Sequence, residues 1–264
     1  MEFLDMIVAD VRRRLEERKE RVVLHELRAR SAPEGRPSLR AALLRPGPCL
    51  IAEVKRASPS KGPLRMDLDV ADLVRRYEAA GAAAVSVLTE EDHFGGSLDD
   101  LAAAVASTRL PVLRKDFIVD EYQLHEARVY GASAVLLIAA ILGHGELLAL
   151  AETARRLGLD VLVEVHDESE LIQALAVDDA VIGINNRDLH SFAVSLETTF
   201  RLVSLVPPER LVVSESGIRT RADYLRLRAA GVDGLLVGEL LVRSDDPGAT
   251  LRALTTDEGG GGVT

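Results

Sequence analysis

From Cys49 onward the chain alternates short apolar runs with stretches whose apolar residues recur at three- and four-residue spacing. The runs lie at 49–54 (CLIAEV), 83–88 (AAVSVL), 111–114 (PVLR), 134–138 (AVLLI), 161–165 (VLVEV), 180–184 (AVIGI), 210–214 (RLVVS) and 234–237 (GLLV), and each reads as a strand. Helical patterns fall between and after them, near 69–80, 98–107, 120–130, 144–157, 167–177, 196–205, 220–230 and 247–254. Several end on a glycine placed for a helix C-cap: Gly81, Gly131, Gly158 and Gly231. Strands that are apolar almost throughout and always separated by a helix predict a parallel sheet covered on its faces. Eight strand–helix units in this length predict a closed (β/α)8 barrel, the TIM-barrel class of α/β fold, in preference to an open doubly wound sheet.

Ahead of the barrel, Phe3, Leu4, Ile7, Val8, Val11 and Leu15 form one apolar face beside the charged run Arg12 to Glu20. This predicts an amphipathic helix that must lie on something. Prolines and glycines between Ser31 and Pro48 read as a connection into the main body. The expected organisation is therefore a helical extension over 1–47 packed on a barrel over 48–255, with a flexible glycine-rich tail over 256–264.

Composition narrows the function. A formal charge of -10 speaks against a nucleic-acid surface, because phosphate-backbone binding needs clustered Lys and Arg. No apolar run approaches the roughly 18 to 20 residues that cross a bilayer, and the N-terminal stretch lacks the apolar block of a secretory signal, so no membrane association and a cytoplasmic location are expected. One cysteine, Cys49, allows no internal disulfide and reads as a small core residue. Of the 32 basic residues only four are lysines: Lys19, Lys55, Lys61 and Lys115. Lys55, Lys61 and Lys115 sit at or just after strands, where a compact ammonium whose pKa shifts readily suits chemistry that a guanidinium cannot do.

In a barrel of this kind the active site gathers at the strands' C-terminal ends. The first strand ends in Glu53 and Lys55, which share a face because side chains alternate; the third ends in Lys115-Asp116-Phe117, and the fifth carries Glu164. The sixth, seventh and eighth run into Asn185-Asn186-Arg187-Asp188, Ser214-Glu215-Ser216-Gly217 and Gly238-Glu239. One Glu–Lys pair would equally serve to tie the barrel mouth together. Four such charges at matched strand ends predict a general acid–base site. Ser216-Gly217 and Gly238 occupy the two loops where barrels often bind phosphate, and Ser58 and Arg187 can complete that cradle. His166 follows Glu164 without any second metal-ligand spacing, so no metal is expected. His93, His125, His144 and His190 are expected to be solvated, and Gly95-Gly96 to form a loop hinge.

The stretch Ile51-Ala-Glu-Val-Lys-Arg-Ala-Ser-Pro-Ser-Lys-Gly62 resembles the signature of the indole-3-glycerol phosphate synthases. The likeness continues through Ser86-Val-Leu-Thr-Glu90, Phe94-Gly-Gly-Ser97, Leu113-Arg-Lys-Asp-Phe-Ile-Val-Asp120, Leu162-Val-Glu-Val-His166, Ile184-Asn-Asn-Arg-Asp188 and Val213-Ser-Glu-Ser-Gly-Ile218. The resemblance implies a carboxy-lyase of tryptophan biosynthesis that acts on a phosphorylated small molecule as a monomer, with no cofactor. It closes the ring of 1-(2-carboxyphenylamino)-1-deoxyribulose 5-phosphate with loss of CO2 and water. It implies Lys115 as general acid and Glu164 as general base. Lys55 would hold the substrate carboxylate and share the acid role, with Glu53 and Asn185 orienting groups. The phosphate would meet Ser58, Arg187, Ser216, Gly217, Gly238 and the backbone N–H of Glu239. The anthranilate ring would lie against Phe94, Phe117, Leu136, Ile138 and Leu189, and Lys61 and Gly62 would belong to a mobile loop. One departure stands out: Leu240 occupies a position that is usually small in the family. Two other readings stay open at this point, a sister phosphate-binding isomerase built on a Cys/Asp pair and a non-catalytic ligand-binding paralogue.

Overall fold

The computed structural model describes residues 3–33, 35–45, 49–189 and 191–256. Eight parallel strands close into a barrel: Leu50–Val54, Ala84–Leu88, Val112–Lys115, Ala134–Ile138, Asp160–Val165, Val181–Asn185, Val212–Glu215 and Gly234–Val237. The first pairs with both the second and the eighth, which completes the ring. Helices α4 (Val70–Ala79), α5 (Leu98–Ser107), α6 (Glu121–Val129), α7 (His144–Arg156), α8 (Glu168–Leu175), α9 (Glu197–Val203), α10 (Arg221–Ala229), α11 (Glu239–Val242) and α12 (Pro247–Thr255) follow the strands. Many open on a side-chain cap of the expected chemistry, such as Asp69 to the Asp72 N–H and Asp120 to the Tyr122 N–H.

Alternation along each strand builds two cores. Outward residues such as Val54, Val87, Val135, Val163 and Ile182 pack under the helices. Inward residues such as Ile51, Leu113, Leu162 and Val213 fill the barrel. Those four occupy the first, third, fifth and seventh strands, the alternate strands that share one interior layer in such barrels. Two residues further along each of the same strands stand Glu53, Lys115, Glu164 and Glu215. An apolar floor thus carries a charged layer directly above it.

The N-terminal segment forms helix α1 (Phe3–Arg21), α2 (Leu24–Ala29) and α3 (Leu39–Leu43). Ile7 and Val11 of α1 join the inward cluster near Phe117 and Ile138, and Leu15 packs with Leu27 and Tyr122. Arg14 and Arg18 tie α1 to Glu91 and Glu126. Leu39 and Leu43 of α3 pack with Cys49 and Leu211 at the strands' starting ends. The stretch expected to be a plain connection therefore contains a helix, started by the Ser38 hydroxyl accepting the Ala41 N–H and held by its burial over the barrel floor.

Three further expectations need correction. His125 is buried and accepts a hydrogen bond from the Arg28 Nε, 3.2 Å away, because α2 covers it. His93 is half-buried, 3.0 Å from Asp10 of α1. Gly96 is packed against backbone: a Cβ there would lie 2.2 Å from the Leu88 carbonyl oxygen, so the site is a close approach rather than a hinge. His144 is exposed. His190, residues 46–48 and the tail glycines Gly259 to Gly262 lie outside the described residues.

Candidate active site

At the strands' C-terminal ends lies a cavity of about 560 Å³. Lys115 is its electrostatic centre. The Lys115 Nζ donates to Glu164 Oε2 at 2.9 Å and lies 3.1 Å from Glu215 Oε2. Across the floor, Lys55 Nζ sits 2.6 Å from Glu53 Oε1. Glu53, Glu164 and Glu215 are nearly inaccessible, at 2%, 2% and 1% exposure. Burying so many charges is costly unless they pair, and each carboxylate here has an ammonium partner.

The protonation states follow from that pairing. Burial disfavours the Lys115 ammonium, but Glu164, Glu215 and Glu53 outweigh it and hold its pKa above the ordinary lysine value. Burial would also raise Glu164; Lys115 and then His166 reverse this and hold it well below the carboxylate range. Glu215 goes the other way. Burial dominates, Lys115 offsets only part of it, Glu164 adds repulsion, and the group is pushed up to about 7. Two carboxylates on one ammonium thus have proton affinities driven apart, the pattern of an acid–base pair with divided roles.

Two glycines make room for this layer. A Cβ at Gly183 would lie 2.6 Å from Glu215 Oε1 and 2.4 Å from Leu162 Cδ2, and one at Gly238 would lie 2.2 Å from Glu53 Oε1. Behind the third strand, the fully buried Arg114 donates to Asp116 and Glu126 and to the Gln123 carbonyl. Asp116 Oδ1 in turn accepts the Phe117 N–H. This network fixes the strand end that carries Lys115.

On the opposite rim, Ser58 sits in a small hairpin (Ala57–Ser58 with Gly62–Pro63), and its buried hydroxyl has no hydrogen-bond partner among the described residues. Arg187 Nη1 donates to the Ser60 hydroxyl and to the Phe192 carbonyl. Asn185 Oδ1 accepts the Arg187 N–H and shapes that turn. Ser216 and Gly217 both adopt positive φ, 65° and 85°, a costly conformation for the serine and of the kind that clusters at functional sites. Asn186 secures this loop by donating to the Glu215 and Ser216 carbonyls. Gly238 and Glu239 border the same rim, where α11 begins. Leu240 borders the cavity while packing on the outer core.

The apolar side of the cavity is formed by Phe94, Phe117, Leu136, Ile138 and Leu189, the two phenyl rings 6.0 Å apart. Lys61 and Gly62 do not line the cavity; Lys61 is exposed at the turn of the hairpin. Several lining residues were given no role from the sequence. Glu215 had a signal, its place at a strand end two residues above Val213, but no lysine stood beside it in sequence. Phe3, Leu4 and Ile7 of α1, together with Phe192, close the cavity from above, with Phe3 edge-on to Phe192 at 5.3 Å. Only the folding of the extension over the mouth reveals them. Cys49 lies at the opposite end of the barrel, its thiol pushed up by burial.

The model of the indole-3-glycerol phosphate synthase family matches residues 4–254. The chain belongs to the indole-3-glycerol phosphate synthase family. It is 48% identical over 261 residues to the indole-3-glycerol phosphate synthase of Acidithiobacillus ferrooxidans, covering 97% of this chain and 99% of that one. It is 50% identical over 258 residues to the indole-3-glycerol phosphate synthase of Dehalococcoides mccartyi, covering 96% and 99%. Among solved structures, 3-hexulose-6-phosphate synthase from Salmonella typhimurium matches with a TM-score of 0.62 at 12% identity, covering 78% of this chain and 96% of that one. Thiamine phosphate pyrophosphorylase from Pyrococcus furiosus matches with a TM-score of 0.61 at 18% identity, covering 82% and 96%. These two likenesses speak to the barrel alone. No helix among the described residues is long and apolar enough to cross a membrane.

Proposed function

We propose that this chain is the carboxy-lyase of tryptophan biosynthesis that converts 1-(2-carboxyphenylamino)-1-deoxyribulose 5-phosphate to indole-3-glycerol phosphate, CO2 and water. The observation that carries this reading is Lys115, held between Glu164 and Glu215 on the floor of a cavity with one apolar wall and one rim of glycine, serine and arginine.

The geometry supports the following division of roles. Lys115 donates a proton to the substrate ketone while the aromatic carbon attacks it, and Lys55 holds the carboxylate that departs as CO2 and shares the acid role. Glu164, ionised through its pairing with Lys115, takes up the proton released as water is lost and the ring becomes aromatic. Glu53 keeps Lys55 in place, and Asn185 orients its surroundings. Ser58, Arg187, Ser216, Gly217, Gly238 and the Glu239 N–H receive the phosphate. Phe94, Phe117, Leu136, Ile138 and Leu189 pack on the anthranilate ring, and Lys61 and Gly62 move with the loop that closes over it.

In this reading residues 1–47 form an extension on a catalytic barrel over 48–255, followed by a tail. The enzyme works as a cytoplasmic monomer without a nucleic-acid partner, metal or organic cofactor. The test is spectroscopic: purified protein mixed with the carboxyphenylamino substrate in chelated buffer is expected to develop indole fluorescence with saturable kinetics. Absence of indole product from folded protein at millimolar substrate overturns the reading.

A further inference from the structure

His166 stands just past the end of the fifth strand, behind Glu164 and outside the cavity lining. Its ring is fixed on both sides. Nδ1 lies 3.0 Å from Glu170 Oε2, and the same oxygen accepts the His166 backbone N–H at 2.7 Å, so Glu170 of α8 grips the residue twice. Nε2 is buried, makes no hydrogen bond of good geometry to any described residue, and faces Glu164 Oε1 at 3.3 Å.

A carboxylate oxygen can only accept. The contact with Glu170 therefore requires a proton on Nδ1, and the approach to Glu164 at 3.3 Å favours one on Nε2. A neutral ring would point a lone pair at Glu164. We propose that His166 is a positioning residue, an imidazolium clamped between Glu170 and Glu164 that shares the Glu164 carboxylate with Lys115. Through this sharing it keeps Glu164 ionised and weakens the hold of Glu164 on the Lys115 proton.

The surroundings agree. Burial pulls the His166 ring down, but Glu164 and Glu170 overcome it and push it up to about 10. The charged groups gathered around Lys115 and Glu164 are Glu215 from the seventh strand and, from the first, Glu53 with its partner Lys55. Those beside the ring are Glu164, Glu170 and Asp167, whose own carboxyl is held down chiefly by the Glu170 backbone N–H and least by His166. Three carboxylates, Glu53, Glu164 and Glu215, share two ammoniums, Lys55 and Lys115, so with Glu215 ionised one negative charge is left over, which a cation on Oε1 of Glu164 offsets. A lysine held by two carboxylates is a poor acid; diverting one of them makes it a better one.

This inference rests on the proposed reaction, so its test has one arm that does not. In the full-length protein labelled with 15N-histidine, the His166 resonances, assigned by their loss in His166→Gln, are expected to show both ring nitrogens protonated at pH 8. A neutral ring at that pH overturns the proposal, whatever the protein catalyses. In kinetics, His166→Gln is expected to lower kcat roughly 10- to 100-fold with KM within about threefold, and to move the acidic limb of the kcat profile up by about one pH unit, since Glu164 loses a cation. Glu170→Gln, which alters only the outer clamp, is expected to move that limb the same way by less. A wild-type pH profile in both variants overturns the proposal even if kcat falls, for that marks a merely structural role. Wild-type protein that forms no indole product overturns the reaction and leaves the NMR arm to decide the clamp.

Discussion

At the scale of single residues, substitutions at Lys115 and Glu215 are both expected to lower turnover but to differ in their effect on stability. Lys115→Ala removes the ammonium between Glu164 and Glu215, and kcat is expected to fall by about 10²- to 10⁴-fold, the usual worth of positioned acid–base catalysis. Circular dichroism should show the barrel intact, because the two carboxyls can protonate; near-normal turnover would remove Lys115 from the acid role. Glu215→Gln should abolish most activity yet stabilise the protein at pH 8. The sign follows from linkage: a carboxyl with its folded pKa pushed up to about 7 stabilises only while protonated, so its contribution is full below the unfolded value and is lost as pH rises through 7. The neutral amide escapes that loss, for a gain on the order of 1 to 3 kcal/mol at pH 8 that shrinks to nothing near pH 4. Urea midpoints measured at both pH values decide it, and equal midpoints at pH 8 would contradict a raised Glu215.

At the scale of elements, the sixth strand carries a glycine where its neighbours carry side chains, and the seventh uses the space. Gly183→Ala brings a Cβ against Glu215 Oε1 and the tip of Leu162, both ends of flexible side chains. The displacement should cost about 1 to 3 kcal/mol of stability, as core overpacking does. Turnover should drop at least tenfold, because the carboxylate leaves Lys115. Thermal melts and kcat measured on the same preparation test the pair, and unaltered kcat would mean that Glu215 tolerates the shift. The eight strands, their parallel order and most helix ends were legible from apolar runs and glycine caps, since both signals are local. Helix α3 and the burial of His125 were not, because α3 is only five residues long and the cover on His125 comes from Arg28; each is held by an element distant in sequence.

At the scale of the molecule, the N-terminal extension spans the barrel from mouth to floor. Phe3, Leu4 and Ile7 roof the cavity, while Leu39 and Leu43 seal the opposite end. Phe3→Ala is expected to raise KM several-fold with kcat little changed, because it trims a wall far from the reacting groups. Ile7→Ala should cost about 2 to 5 kcal/mol, as truncation of a buried isoleucine does. Steady-state kinetics of the first and denaturant unfolding of the second check both; a purely kcat effect from Phe3→Ala would place that ring nearer the chemistry than the structure does.

The order of residues alone settled the strand count, the parallel barrel and the presence of Glu53, Lys55, Lys115 and Glu164 at one end, because alternation and spacing are properties of neighbours along the chain. Which ammonium faces which carboxylate was decided only by closure of the ring. Barrel closure puts the third, fifth and seventh strands around one interior layer, so Lys115 meets Glu164 and Glu215 while Lys55 stays with Glu53. The divergence in proton affinity between Glu164 and Glu215 arises from that enclosure too, since burial and pairing depend on distances through space that no local pattern records.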